Sequence, residues 1–289
     1  MNTEFGGIRM KTQCSVCFRH CSPAEGETGF CRARTMKNGK MVCTNYGELT
    51  AAGLDPVEKK PLHRFYPGSM ILSVGSYGCN LRCPFCQNNE ISMISPREAR
   101  TRFVPPEELA GLALKLRDQN NIGVAFTYNE ALIGFEYVRD TARLVHENGM
   151  KNVVVTNGTA SLEVLEELKP HIDAMNIDLK SFNAGYYRDV LGGDLAAVKS
   201  FIAEAVRFCH VEITTLIVPG ENDSEEEMRA ITSWIASLKN GKGSDIPLHI
   251  TRFFPNYRMT DRPATEIGKI RRLVGIAREK LDYVFPGNC

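Results

Sequence analysis

The sequence predicts an α/β protein, a partial (β/α)6 barrel of the TIM type that carries a small cysteine-rich module at its N-terminus. Three observations predict it. From about residue 70 onward, short β-branched runs alternate with amphipathic helical stretches. The segment from 70 to 285 is shorter than the roughly 250 residues of a complete eight-fold barrel. The first 65 residues hold Cys14, Cys17, Cys21 and Cys31 with few apolar positions between them.

In chain order, residues 1–53 form the N-terminal metal-binding module, with Asn38 and Gly39 marking a hairpin turn and Cys43 in the returning strand. Residues 54–69, LDPVEKKPLHRFYPGS, read as a linker whose Pro56, Pro61 and Pro67 argue against a helix. Residues 70–289 form the barrel. Its strands are expected at 71–74, 124–127, 153–156, 175–179, 211–218 and 248–253. Apolar residues recur at helical spacing in Leu109, Leu112, Ala113 and Leu116, in Val198, Ile202, Ala205 and Cys209, and in Ile267, Ile270, Val274 and Ala277. Pro105 and Pro106 ahead of Glu107 and Glu108 sign one helix start, and Ser224 with Glu227 makes a capping box. Strands joined by helical crossovers pair in parallel, and the active site of such a fold lies at their carboxyl ends.

Composition removes several classes of function. The chain has 289 residues, 43% hydrophobic and 24% charged, with 35 Lys and Arg against 34 Asp and Glu, which excludes a disordered chain. A net charge of +1 gives no general electrostatic ground for binding nucleic acid or a membrane surface. No stretch approaches the roughly 18 apolar residues of a membrane span, and MNTEFGGIRMK lacks the apolar core of a signal peptide, so the expected location is the cytoplasm. Only the N-terminal module is locally basic. Arg9, Lys11, Arg19, Arg32, Arg34, Lys37 and Lys40 face Glu25 and Glu27, as a docking patch for an acidic reductant or as a solvated face.

Seven of the ten cysteines fall in two tight groups, and clustered thiols in a reducing compartment hold metal more often than they form disulfides. Cys79, Cys83 and Cys86 stand as C-x3-C-x2-C just after the first barrel strand. Three thiolates satisfy neither a closed zinc site nor a cubane cluster, so one position is left for another ligand. Cys14, Cys17, Cys21 and Cys31 supply four thiolates, enough to close zinc or a [4Fe-4S] cluster. Cys43, Cys209 and Cys289 carry no catalytic signal. On the fourth strand, Asp178 and Lys180 share a face, which should look into the barrel as a ligand contact or an internal salt bridge. On the sixth, His249 is the inward-facing candidate, for a cofactor contact or a structural hydrogen bond, with Arg252 on the opposite face.

The triplet resembles the signature of the radical S-adenosylmethionine (SAM) superfamily. That resemblance implies a [4Fe-4S] cluster on Cys79, Cys83 and Cys86, with SAM chelating the remaining iron through its amino and carboxylate groups. It also implies reductive cleavage of SAM to a 5'-deoxyadenosyl radical that abstracts a hydrogen atom. On the same basis, Phe85 is expected beside adenine. Asn129 and Glu130 of TYNEA meet the methionyl amino group, Thr156 and Asn157 of TNG line the cofactor, Asp178 contacts the ribose or a cation, and Lys180 contacts the SAM carboxylate. DPVEKKPLHRFYPG, GCNLRCPFCQNNEIS, TYNEA, VVVTNG, NIDLK, TTLIVPGENDSEEE and TRFFPNYRMTDRP together resemble the radical SAM enzyme of the AmmeMemoRadiSam system, akin to the pyruvate formate-lyase (glycyl-radical enzyme) activating enzymes. Implied partners are SAM, an electron donor such as flavodoxin or ferredoxin, and a glycyl-radical protein or Memo-like and AMMECR-like proteins. The chain departs from that group at His63 and Arg64, at Ala131 and at Phe254. Two other readings stand beside this one, a zinc-stapled scaffold that binds a protein or nucleic acid and a two-cluster electron carrier.

Overall fold

The computed structural model describes residues 12–289, so Arg9 and Lys11 of the basic stretch and the N-terminal segment read for a signal peptide lie outside the described residues. The expected hairpin forms from β1 (Arg34–Lys37) and β2 (Lys40–Cys43), with Asn38 at φ 53 and Gly39 at φ 71 in the turn. Two left-handed residues in a row match the twist of a two-residue hairpin, and Asn-Gly suits both.

After the short β3 (Glu48–Leu49), the strands are β4 (Ala51–Pro56), β5 (Met70–Gly75), the short β6 (Arg102–Phe103) that pairs with β3, β7 (Asn121–Phe126), β8 (Lys151–Thr156), β9 (Ala174–Asp178), β10 (His210–Ile217), β11 (Leu248–Arg252) and β12 (Val284–Gly287). The main sheet has the order β4-β5-β7-β8-β9-β10-β11-β12. All six expected barrel strands are present and parallel. Two strands add to them. β12 extends the parallel run, and β4 pairs antiparallel with β5 on the other edge, from Ala51 opposite Gly75 to Pro56 opposite Met70. Both read weakly because proline is tolerated only at sheet edges, and Gly53, Asp55 and Pro286 have poor strand propensity. β4 and β12 are the two rims of an open barrel.

β4 runs across the expected boundary between residues 53 and 54, and the rest of the 54–69 stretch folds under the barrel. Val57, Leu62 and Phe65 pack with Ile71, Ala125, Val153 and Ala174, which alternate with the outward Leu72, Val124, Val154 and Met175. The stretch read as a linker is therefore the barrel floor. The outward residues meet the helices in the main core. Further along the strands the inward set is small or polar: Thr127, Asn176, Asp178, Thr214, His249 and Thr251. Such residues cannot close a dry core, so a cavity remains above the floor.

Helix Pro106–Lys115 starts at its expected proline and buries Leu109, Ala110 and Ala113, but Leu112 faces solvent at 41% exposure. Val198, Ile202 and Ala205 are buried on helix Leu195–Ala205, whereas Cys209 lies beyond its end. Ile270, Val274 and Ala277 are buried on helix Ile267–Ala277, with Ile267 outside. Ser224 caps helix Glu225–Gly241 by accepting from Glu227 N, at 3.1 Å. The Glu227 carboxylate is spent elsewhere, accepting from Phe182 N at 2.6 Å and Ser181 Oγ at 2.5 Å, and so ties this helix to the loop after β9. Helices Phe135–Glu147 and Leu162–Leu168 complete the outer layer.

The N-terminal module is sewn to the barrel rather than tethered to it. Arg34, 5% exposed, makes a forked pair with Glu136 at 2.7 and 2.9 Å and donates to Ile133 O. Arg19 stacks on Phe30 and donates to Asn80 O and Gly192 O. Two cations of the basic stretch are thus turned inward, which leaves Lys37 and Lys40 as exposed members. No helix of the described residues is long and apolar enough to cross a membrane.

Candidate active site

A cavity of about 640 Å3 opens at the carboxyl ends of the strands and reaches down to Pro61 and His63 on the floor. Its size falls in the range that holds a nucleotide-sized ligand, about 300–1,000 Å3. Cys79, Cys83 and Cys86 border it together with Phe85, Asn129, Glu130, Thr156, Asn157, Asp178, Lys180 and His249. Every residue expected around the cofactor therefore borders one space.

The loop that carries the triplet is held from three sides. The Asn129 amide accepts from Ser76 N at 3.0 Å and donates to Tyr77 O and Gly78 O, so its polar atoms fix the loop before Cys79 rather than a ligand. Asn256 Nδ2 donates to Cys86 O at 3.1 Å and Arg258 N to Pro84 O at 2.9 Å, so the segment after β11 clamps the far side. Asn157 Nδ2 lies 3.7 Å from Cys79 Sγ, and Leu81 N donates to the same sulfur at 3.4 Å. Phe85 is 5% exposed and meets Phe253 edge-on with centroids 6.5 Å apart, so it is both a core residue and part of the wall.

Burial pushes the Cys83 thiol up to about 11, and burial with the nearby Glu130 pushes Cys79 well above its ordinary value. Thiols so placed ionise only against a strong cationic partner, and a metal supplies one. The cavity wall offers three thiols and no fourth. Among the described residues no group of three or more His, Cys, Asp or Glu side chains is gathered closely enough for a single ion. A three-thiol donor set would suit a cubane cluster, which would leave one iron for a ligand in the cavity.

Glu130 accepts from Thr156 Oγ1 at 2.7 Å, Asn157 N at 2.7 Å and Leu132 N at 3.1 Å, which locks the exits of β7 and β8 together. Burial raises its pKa to about 7 against the pull of those bonds. An ionised carboxylate has about four acceptor sites, so one remains. Asp178 and Lys180 form the ion pair, 2.9 Å apart, and both border the cavity, so the two alternatives for this pair coexist. Burial works against the Lys180 charge, but Asp178 and the Cys83 sulfur outweigh it and hold the ammonium above its ordinary range.

Lys180 is positioned by residues that sequence reasoning missed. Its N–H donates to the hydroxyl of fully buried Tyr187 at 2.9 Å, and its carbonyl accepts from Asn222 Nδ2 at 2.7 Å. Asn222 also accepts from Val218 N and donates to Leu216 O, and so joins the exits of β9 and β10. Tyr128, at φ 71, borders the cavity and donates through its hydroxyl to Asp55 at 2.9 Å. A left-handed aromatic residue within TYNEA carries no sequence signal of its own.

His249 points inward, as expected, and its Nε2 contacts Glu212 at 2.6 Å. Glu212 is fully buried and accepts from His210 Nε2, His63 N and Arg64 N as well, so it fastens the floor segment to β10. Burial opposes its charge, yet these donors hold its pKa down to about 2. A carboxylate depressed on folding stabilises the protein above its unfolded pKa, and that contribution is lost as the pH falls from about 4.5 towards 2. Glu212→Gln is therefore expected to lower unfolding stability at pH 7 by about 3 kcal/mol, with a smaller deficit at pH 3. Urea titration of the metal-free protein at the two pH values checks it, and an equal deficit at both contradicts it.

The fold and the site together define an open parallel α/β barrel with three thiols on the wall of one ligand-sized cavity. Residues 73–231 match the family description of the radical SAM superfamily. An uncharacterized protein of Methanocaldococcus jannaschii is 39% identical over 280 residues, 96% of this chain and 81% of that one. The pyruvate formate-lyase-activating enzyme of Clostridium pasteurianum is 27% identical over 71% of this chain and 89% of its own. Among solved structures, Streptococcus suis SuiB bound to S-adenosylmethionine superposes with a TM-score of 0.57 at 15% identity, covering 76% of this chain and 52% of that one, which concerns the fold alone. The chain belongs to the radical SAM superfamily and is related to the pyruvate formate-lyase-activating enzymes. Membership implies a [4Fe-4S] cluster and SAM.

Proposed function

We propose that this protein reductively cleaves SAM at a cluster held by Cys79, Cys83 and Cys86 and uses the 5'-deoxyadenosyl radical to abstract a hydrogen atom in the activating-enzyme manner. The observation that carries this reading is one cavity bordered by three buried thiols, with Glu130 and the Asp178–Lys180 pair on the same wall. When bound, the cluster supplies the electron that breaks the carbon–sulfur bond of SAM. The protein's own residues bind and orient. Lys180 offers a fixed cation to the SAM carboxylate, and Asp178 keeps that cation charged. The acceptor site left on Glu130 takes an N–H of the methionyl amino group. Phe85 offers an apolar face to adenine. His249 and His63 border the deeper end, where they exclude bulk water.

The four N-terminal thiols hold a second metal centre, an iron–sulfur cluster or zinc. The electron donor is flavodoxin or ferredoxin, with Lys37 and Lys40 as the exposed cations of the module. The hydrogen donor is a glycine of a glycyl-radical protein or a substrate of the AmmeMemoRadiSam system with its Memo-like and AMMECR-like companions, and the reaction takes place in the cytoplasm. The 27% identity to a pyruvate formate-lyase-activating enzyme favours the first hydrogen donor. Iron-loaded protein given dithionite and SAM is expected to release methionine and 5'-deoxyadenosine. Failure of the fully loaded protein to form either product overturns the reading.

A further inference from the structure

Cys86 is the thiol of the triplet that adjoins the surface. Cys83 is buried and Cys79 stands between buried Gly78 and Asn80, whereas Cys86 is half-buried and runs on into exposed Gln87 and Asn88. The segment after β11 covers this side. Asn256 and Met259 exchange backbone hydrogen bonds at 3.2 and 3.0 Å, which closes a tight turn with Tyr257, at φ 55, and Arg258 at its tip. Met259 is 6% exposed and anchors the turn, Asn256 Nδ2 donates to Cys86 O, and Arg258 N donates to Pro84 O. The turn is thus a platform fixed on the triplet loop, with exposed Phe254, Pro255 and Arg258 on its outer side. A surface held in place before association has little ordering left to lose on binding.

Three loops meet at this face, 79–88, 187–193 and 252–262, and Arg82 N ties the first to the second by donating to Leu191 O at 2.9 Å. They carry Arg82, Arg188, Arg252, Arg258 and Arg262 against Asp189 and Asp261. Asp189 is taken by Arg188 at 2.7 Å, and Arg262 is shared between Asp261 at 3.2 Å and Glu221 at 2.7 Å. The other three arginines have neutral partners. Arg82 donates to Asp189 O at 3.4 Å, Arg252 donates to Thr265 O and lies 4.7 Å over the Phe254 ring, and Arg258 lies 5.0 Å over the Tyr257 ring. Among the described residues these contacts leave the three charges uncompensated, so the face is locally positive in a chain of net charge +1. Its centre is apolar, since Phe254 is 42% exposed. The basic stretch of the N-terminal module is weaker, because Lys37 and Lys40 flank a turn whose N–H groups at Asn38 and Gly39 hold the Glu25 carboxylate at 2.6 and 3.0 Å.

We propose that the face formed by Arg82, Arg252, Phe254 and Arg258 docks the electron donor, and that this donor is an acidic flavoprotein whose exposed flavin edge settles on Phe254 beside Cys86. This rests on the radical SAM reading of the triplet. Cations around an apolar centre complement carboxylates around an exposed aromatic edge. In the transfer the anionic flavin hydroquinone gives up one electron and becomes the neutral semiquinone, and the cluster held by the triplet gains that electron.

Calorimetry with oxidised flavodoxin is expected to give the Arg82→Glu, Arg258→Glu double variant a Kd about tenfold or more above that of the unsubstituted protein at low salt, with the gap closing at about 0.5 M salt as the charges are screened. Arg258→Lys keeps the charge and should bind nearly as the unsubstituted protein does, as should a Lys37→Glu, Lys40→Glu variant. Reduction of iron-loaded protein by flavodoxin hydroquinone, followed by EPR, should slow in parallel with the loss of affinity. Reduction by dithionite, which needs no docking, should not change. Arg258→Glu alone serves if the double variant does not load iron. Unchanged flavodoxin affinity in the arginine variants overturns the proposal, and so does a loss confined to the lysine variant or reduction by ferredoxin with none by flavodoxin. Protein that flavodoxin reduces in this arginine-dependent way yet forms no 5'-deoxyadenosine overturns the catalytic reading and leaves the docking face in place.

Discussion

Cys83→Ala is expected to reduce 5'-deoxyadenosine formation to the level of metal-free protein. Cys83 is buried among Cys79, Cys86, Asp178 and Lys180, and no other thiol borders the cavity to replace it. Two thiolates cannot hold three irons of a cubane, so the loss falls on the cluster itself rather than on a single contact. The apolar core does not depend on the Cys83 sulfur for a hydrogen bond, so the variant should remain folded. The check is iron content and product yield, measured together. The triplet's irons should be absent and product should fall to background, whereas normal turnover in the variant would show that the triplet is not the catalytic ligand set.

Lys180→Met is expected to weaken SAM binding by about 30-fold or more, from the loss of a charge-assisted hydrogen bond of about 2 kcal/mol. The methionine nearly matches the aliphatic stem in volume, so packing changes little. What changes is charge, because Asp178 loses its partner at 2.9 Å and repels the SAM carboxylate. Breaking a partly buried pair also lowers stability of the free protein, by an amount below the 3–5 kcal/mol of a fully buried one because Asp178 is 31% exposed. A Lys180→Met, Asp178→Asn double variant should recover much of that stability without recovering affinity. Calorimetry with SAM and a urea titration separate the two effects, and unchanged affinity in the single variant would remove Lys180 from the cofactor site.

Much of this was legible in the sequence because it depends on spacing. Strand periodicity put Asp178, Lys180 and His249 on the inward face, and the triplet announced itself by position after a strand. What stayed hidden depends on tertiary partners. The stretch with Pro56, Pro61 and Pro67 has no periodic signature, yet Val57, Leu62 and Phe65 build the floor because the strands above present Ile71, Ala125 and Val153. β12 contains Pro286 and Gly287, and only the edge of a sheet makes such a strand possible. Asn80, Asn129 and Asn222 are short amides in loops, a composition common to any turn, and their work appears only when both partners are seen. The Glu227 carboxylate was expected to close a capping box and instead joins two catalytic-face loops, a competition between local and distant donors that sequence cannot decide.

The central claim is that three thiols leave one iron for SAM, and EPR of the reduced cluster tests it most directly. In iron-loaded protein, the account predicts a cluster signal that changes on adding SAM and does not change on adding methionine-free 5'-deoxyadenosine. A cluster signal indifferent to SAM, or no cluster at all on Cys79, Cys83 and Cys86, would contradict it.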